Sequence, residues 1–155
     1  MKTLFTSREF HDSAGKKYKT PYQFVLSATR AAGVEVRNPR PLLGVLARLG
    51  MPLYGCQTPD GYKNTEAAWL SPDSTSLRIS FATALAAGKL PLAGPPPETA
   101  QAQPVANAEN EPIDPARLEG ILGATLAPQT RDTIAATPAG LRAAVILGSP
   151  DFMRH

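Results

Sequence analysis

Among 155 residues there are one cysteine and two histidines. One cysteine excludes an internal disulfide framework and any multi-cysteine zinc site. Two histidines exclude a three-histidine zinc centre. A single thiol suits a reducing compartment without requiring one. No run of 18 or more apolar residues occurs, so no membrane-spanning helix is expected. The opening MKTLFTSREF has one lysine but no long apolar core and no small-residue cleavage site. It does not read as a signal peptide, which leaves the cytoplasm as the default compartment. Charged residues make up 19%, lower than usual. There is no G-x-S-x-G nucleophile elbow.

What is present points to one domain with a real core: 43% of the residues are hydrophobic. The 16 prolines and 12 glycines are about twice what a compact helical domain needs, so part of the chain should lack regular structure. The net charge of +3 is unevenly spread. Residues 1–63 carry ten Lys/Arg against four Asp/Glu, and residues 64–155 six against nine. A basic half can meet nucleic acid, yet no nucleic-acid motif accompanies it, so that partner is disfavoured. The cluster GKKYKT, with Lys16, Lys17 and Lys19 around Tyr18, reads as a solvated basic loop.

A recurring device sets the fold class. Ser, Thr or Asp followed by Pro opens an apolar-periodic run at Thr20-Pro21, Ser71-Pro72, Asp114-Pro115, Thr137-Pro138 and Ser149-Pro150. The polar side chain accepts hydrogen bonds from the free N–H groups of a first helical turn, and proline there loses no helical partner. The pattern predicts helices over Pro21–Ala32, about Pro41–Leu49, Thr65–Trp69, about Pro72–Ala87, Pro115–Leu126, Pro128–Ala136 and Pro138–Leu147. Core-facing stripes follow from helical spacing: Phe24, Val25, Ala28, Ala32; Leu42, Val45, Leu46, Leu49; Leu77, Phe81, Leu85; Leu118, Ile121, Leu122, Leu126. The expected fold is mainly α: a small helical domain of about six or seven short helices with a long Pro-rich loop. Residues 1–88 form a helical region, 89–113 a Pro/Ala-rich linker, and 114–155 a second helical region packing on the first. The ends echo one another, with SREF at Ser7–Phe10 and SPDF at Ser149–Phe152. Each is a cap, an acid in the first turn and an apolar anchor.

The loop PLYGCQTPDGY, Pro52–Tyr62, holds the lone thiol. A cysteine nucleophile needs a nearby base, cation or helix N-terminus to lower its pKa. Nothing in the sequence places His11 or His155 beside Cys56, so a small buried residue in a tight loop is the competing account. Thr58–Gly61 fits a turn in which Pro59 presets φ, Asp60 bonds locally and Gly61 takes φ > 0. Tyr54 and Tyr62 are expected to pack across the loop or against Trp69. The candidate catalytic set is His11, Asp60 and Cys56. The adjacent letters HDS, His11–Ser13, cannot form a triad, because neighbouring side chains diverge. Glu109, Glu111 and Asp114 offer the oxygen ligands calcium prefers, without EF-hand spacing. Asp114 is equally a helix cap.

The cysteine loop, followed by AWLSP, resembles the C-terminal signature of the bacterial domain of unknown function 1800 family. LFTSREF…KTPYQFVLSATRAAG upstream and ILGSPDF at the end are similar to the same region, in the same order. Family members are typically longer, so the resemblance implies a C-terminal part whose surface is normally covered by an upstream one. The family has no established general activity, and no catalytic residue carries over. The function expected is a structural or interaction module that self-associates or binds that upstream part. The alternative is a small divalent-cation-assisted hydrolase of esters or lactones acting on a small molecule, with calcium as the candidate ion.

Overall fold

The computed structural model describes residues 2–94 and 110–155. Most of the Pro-rich stretch, with Glu109, lies outside the described residues. Among them are α1 Lys2–Phe5, α2 Arg8–Asp12, α3 Pro21–Ala32, α4 Arg40–Arg48, α5 Glu66–Trp69, α6 Pro72–Ala86, α7 Pro115–Leu122, a 3-10 turn Gly123–Thr125, α8 Pro128–Ala136 and α9 Ala139–Leu147. No strand occurs among the described residues; the one extended pairing is an antiparallel bridge between Tyr18 and Arg154. The mainly α class is as expected. The two short helices before Ser13 raise the number above seven.

The capping pattern explains the boundaries. Thr20 forms a full capping box, accepting from the Gln23 amide while the Gln23 side chain accepts from the Thr20 amide. Ser71 accepts from the Ser74 amide at 3.1 Å, and Asp114 from the Ala116 amide at 3.0 Å. Thr137 departs from the pattern: its hydroxyl donates back to the Thr133 carbonyl, and α9 starts after Pro138. At the end of α8 a carbonyl four residues back is an available acceptor, and a threonine hydroxyl takes it.

The core sits where α3, α6 and α9 meet. Phe24, fully buried, is flanked edge-on by Phe81 and Phe152, each with its ring centre at 6.0 Å. Val25, Ala28 and Ala32 of α3 are buried beside it, as are Leu42, Leu46 and Leu49 from α4 and its cap. Leu85, Leu118, Ile146 and Leu147 complete the interior. Four stripe positions differ from expectation, Val45 and Leu122 by being only half-buried. Ile121 is 55% exposed, because its side of α7 faces an open groove. On α6, Arg78 shares the buried side with Phe81 and Leu85, and Leu77 is only half-buried.

Both described ends of the 89–113 stretch are tied into this core. Leu92 is fully buried, and its carbonyl accepts from the Arg37 and Asn38 amides at 2.8 and 2.9 Å. Asn38 also donates to the Pro91 carbonyl and accepts from the Arg40 amide, so one buried side chain both starts α4 and fastens the 90s segment. At the other end Asn110 and Ile113 donate to the Gly88 and Ala86 carbonyls, each at 2.9 Å. Gly88 has φ +70°, and a Cβ there would lie 1.9 Å from the Asn110 carbonyl oxygen. Backbone conformation and close approach both demand glycine.

Candidate functional site

Segments 17–19 and 153–155 clasp one another. The Lys17 and His155 amides exchange hydrogen bonds with each other's carbonyls, and the Lys19 amide donates to the Met153 carbonyl at 2.8 Å. Arg154 reinforces the clasp with a two-pronged pair to Glu66 and a bond to the Lys16 carbonyl. This fixes the backbone of Lys19 and brings Phe152 under its side chain, with Nζ 3.9 Å from the ring centre.

Arg78 lies directly behind. It is 0% exposed, and its Nη2 donates to the Lys19 carbonyl at 2.9 Å. Its guanidinium carbon stands 4.7 Å from the Tyr18 ring centre and 4.9 Å from that of Phe24. Nε and Nη1 have no hydrogen-bond partner, and among the described residues no carboxylate pairs with it. A buried cation ordinarily needs a counter-charge; here aromatic faces supply only part of that compensation. Burial lowers the Arg78 pKa. Lys19 feels both effects: burial first, then repulsion from Arg78, bring its pKa down to about 8.

Lys19 forms part of the wall of an open groove of about 720 Å³ between α3 and α7. Leu26, Ile121, Leu122 and Phe152 make an apolar floor, and Gln23, Ser27, Arg30 and His155 bring polar groups to it. The lining contains lysine, arginine and histidine but no aspartate or glutamate. His155 titrates below its ordinary value, through burial and then through Lys17 and Lys19. An apolar trough with cations and no aspartate or glutamate has the chemistry that complements an anion with an apolar body.

The residues singled out in the sequence lie elsewhere. Cys56 is half-exposed, and among the described residues its Sγ has Thr58 as its hydrogen-bond partner, at 3.6 to 3.7 Å. It lines a cleft of about 440 Å³ with Pro52, Tyr62 and Trp69. Neither Asp60 nor His11 lines that cleft. Asp60 forms a 2.6 Å ion pair with Lys63, and the Lys63 and Thr58 side chains hold its carboxyl below the usual carboxylate range. Gly61 takes φ +73°, as its turn requires. The loop is closed by Tyr62, donating to the Pro52 carbonyl, and by Trp69, donating to the Lys63 carbonyl, both at 2.6 Å. Tyr54 is fully exposed with φ +58°, and the packing expected of it is absent. His11 is exposed on α2 beside Phe10. Glu111 and Asp114 line one cleft with Arg117, and among the described residues no group of three metal-ligating side chains occurs.

The Lys19–Arg78 pair escaped sequence reasoning. Lys19 sits in a run of lysines that reads as solvated. Arg78 left a fainter signal: it continues the stripe Phe81, Ala82, Leu85 one turn toward the N-terminus of α6.

The fold and groove define a mainly α-helical domain with an aromatic-lined cationic centre. No described helix is long and apolar enough to cross a membrane. No curated protein and no solved structure matches the chain. The chain belongs to the family described as protein of unknown function (DUF1800), whose sequence model matches residues 1–154.

Proposed function

We propose that this chain is an interaction module that pairs with a second copy of itself through α1 and α2. The observation that carries this is exposure. Every residue from Lys2 to Lys17 is exposed except Ser7, which is half-buried. Leu4, Phe5 and Phe10 are among them; Phe10 packs edge-on against Phe5 and against His11, which is itself exposed. An ordered apolar cluster with no core beneath it is a surface awaiting a partner. Charge favours a copy of the same surface. Lys2 and Arg8 balance Glu9 and Asp12, so a two-fold pairing can set Arg8 of one copy against an acid of the other. The rest of the N-terminal half is basic and would repel its own image.

Sedimentation of the wild-type chain and the Phe5→Ser/Phe10→Ser variant tests this. The wild type should dimerise with rising concentration, and the variant should stay monomeric with unchanged helicity and melting temperature. A wild type that remains monomeric up to roughly 100 μM would sink the proposal.

A second reading, the divalent-cation-assisted hydrolase, draws on Glu111 and Asp114 sharing a cleft. Arg117 in that cleft and the capping bond of Asp114 both compete with a cation there. Turnover of ester and lactone substrates that chelation abolishes would favour it; no turnover would dispose of it.

A further inference from the structure

The groove between α3 and α7 is independent of the self-pairing surface, and its chemistry is specific. We propose that Lys19 is a carbonyl-capturing amine, condensing with an oxo acid whose apolar body lies on Leu26, Ile121, Leu122 and Phe152 and whose carboxylate meets Arg30.

Three features carry this. First, Lys19 is fixed from both sides. Its backbone is clasped to Met153 and Arg78, and its Nζ rests 3.9 Å over the Phe152 ring. Second, burial and the neighbouring Arg78 disfavour an ammonium there, no aspartate or glutamate in the lining restores it, and the face of Phe152 offsets only part of that cost. A lysine desolvated in an apolar pocket beside a second cation is the arrangement that yields a nucleophilic amine. A pKa of about 8 leaves roughly a fifth of the amine neutral near pH 7.4, against about one part in a thousand for an ordinary lysine. Third, the groove is open and large enough for a small aromatic or branched acid. Arg30 lines it, is exposed, and forms no ion pair among the described residues.

The step balances without an oxidant or reductant. The Nζ lone pair attacks the carbonyl carbon, and the carbonyl π pair moves to oxygen. A proton passes from nitrogen to that oxygen, giving a carbinolamine. Loss of water then forms the C=N bond. His155, in the same lining and titrating below its ordinary value, is the candidate to pass the proton.

The test is reductive trapping on the full chain. The protein is incubated with phenylpyruvate and cyanoborohydride at pH 7.4, and the modified lysines are mapped by mass spectrometry. Lys19 should carry the label ahead of the other five lysines. Arg30→Gln should lower Lys19 labelling by phenylpyruvate roughly tenfold while leaving labelling by the neutral ketone phenylacetone unchanged. Lys19→Arg should remove the selective label. Label spread over the exposed lysines, or an unmodified Lys19, overturns the proposal. Mapping the wild type alone decides it should Lys19→Arg fail to fold. Equal loss with both probes in Arg30→Gln overturns the carboxylate assignment. None of these outcomes depends on whether α1 and α2 self-associate.

Discussion

Phe10 and Phe152 occupy the same local device and meet opposite fates. In SREF the Ser7 hydroxyl accepts from the Phe10 amide at 3.2 Å; in SPDF the Ser149 hydroxyl accepts from the Phe152 amide at 3.1 Å. Yet Phe10 is 44% exposed and Phe152 is 5% exposed. The caps form in both places because a cap needs only three neighbouring residues. Burial needs a partner. Phe152 has the ring of Phe24 on one side and the Lys19 amine over its face. Phe10 has only Phe5 and His11. The difference separates an exposed apolar cluster from a position in the core.

The comparison breaks most sharply on the two rings themselves. Phe152→Ala should cost about 3–5 kcal/mol in a denaturant titration. Phe10→Ala should change the stability of dilute protein by less than about 0.5 kcal/mol. Comparable losses at the two positions would erase the contrast.

An effect of intermediate size should follow pH. The unfolded Lys19 amine titrates at its ordinary 10.5, the folded one at about 8. Between those values the unfolded chain binds more protons, so the Lys19 contribution to stability rises with pH across that window and is constant below it. Lys19→Met should abolish that rise, which isolates it from Arg78, Tyr18 and His155 around it. Urea midpoints from pH 7 to 10.5, compared between the two proteins, measure it. Parallel curves would show that the amine keeps its ordinary pKa.

The smallest contrast lies in the caps. Ser149 is buried and also donates to the Ile146 carbonyl at 2.8 Å; Ser149→Ala takes the side-chain acceptor from the buried Phe152 amide, while the Ile146 carbonyl keeps the Ser149 amide, and should cost about 1–2 kcal/mol. Ser7→Ala should cost a few tenths, because water reaches the freed amide. Thermal melts of both variants check the ordering.

Helix positions were legible because their causes are local. Thr20, Ser71 and Asp114 name the starts of α3, α6 and α7, and Gly33 and Gly88 the stops of α3 and α6. The groove was not legible. Lys19 belongs to a run of lysines, and only the clasp of residues 17–19 onto 153–155 takes it out of water. Cys56 is the opposite case: it is conspicuous in the sequence, and among the described residues its Sγ has only Thr58 as a hydrogen-bond partner.

By itself, then, the sequence determined the helical class, most helix boundaries and the turn at Thr58–Gly61, each settled within one turn of backbone by capping, proline and glycine geometry. Only the tertiary structure decided which of two like-capped phenylalanines is buried and which cations lose their water. Those outcomes depend on what residues far away in the chain, Lys19 for Arg78 and Met153 for Lys19 among them, bring to the same point, and short-range patterns carry no record of such meetings.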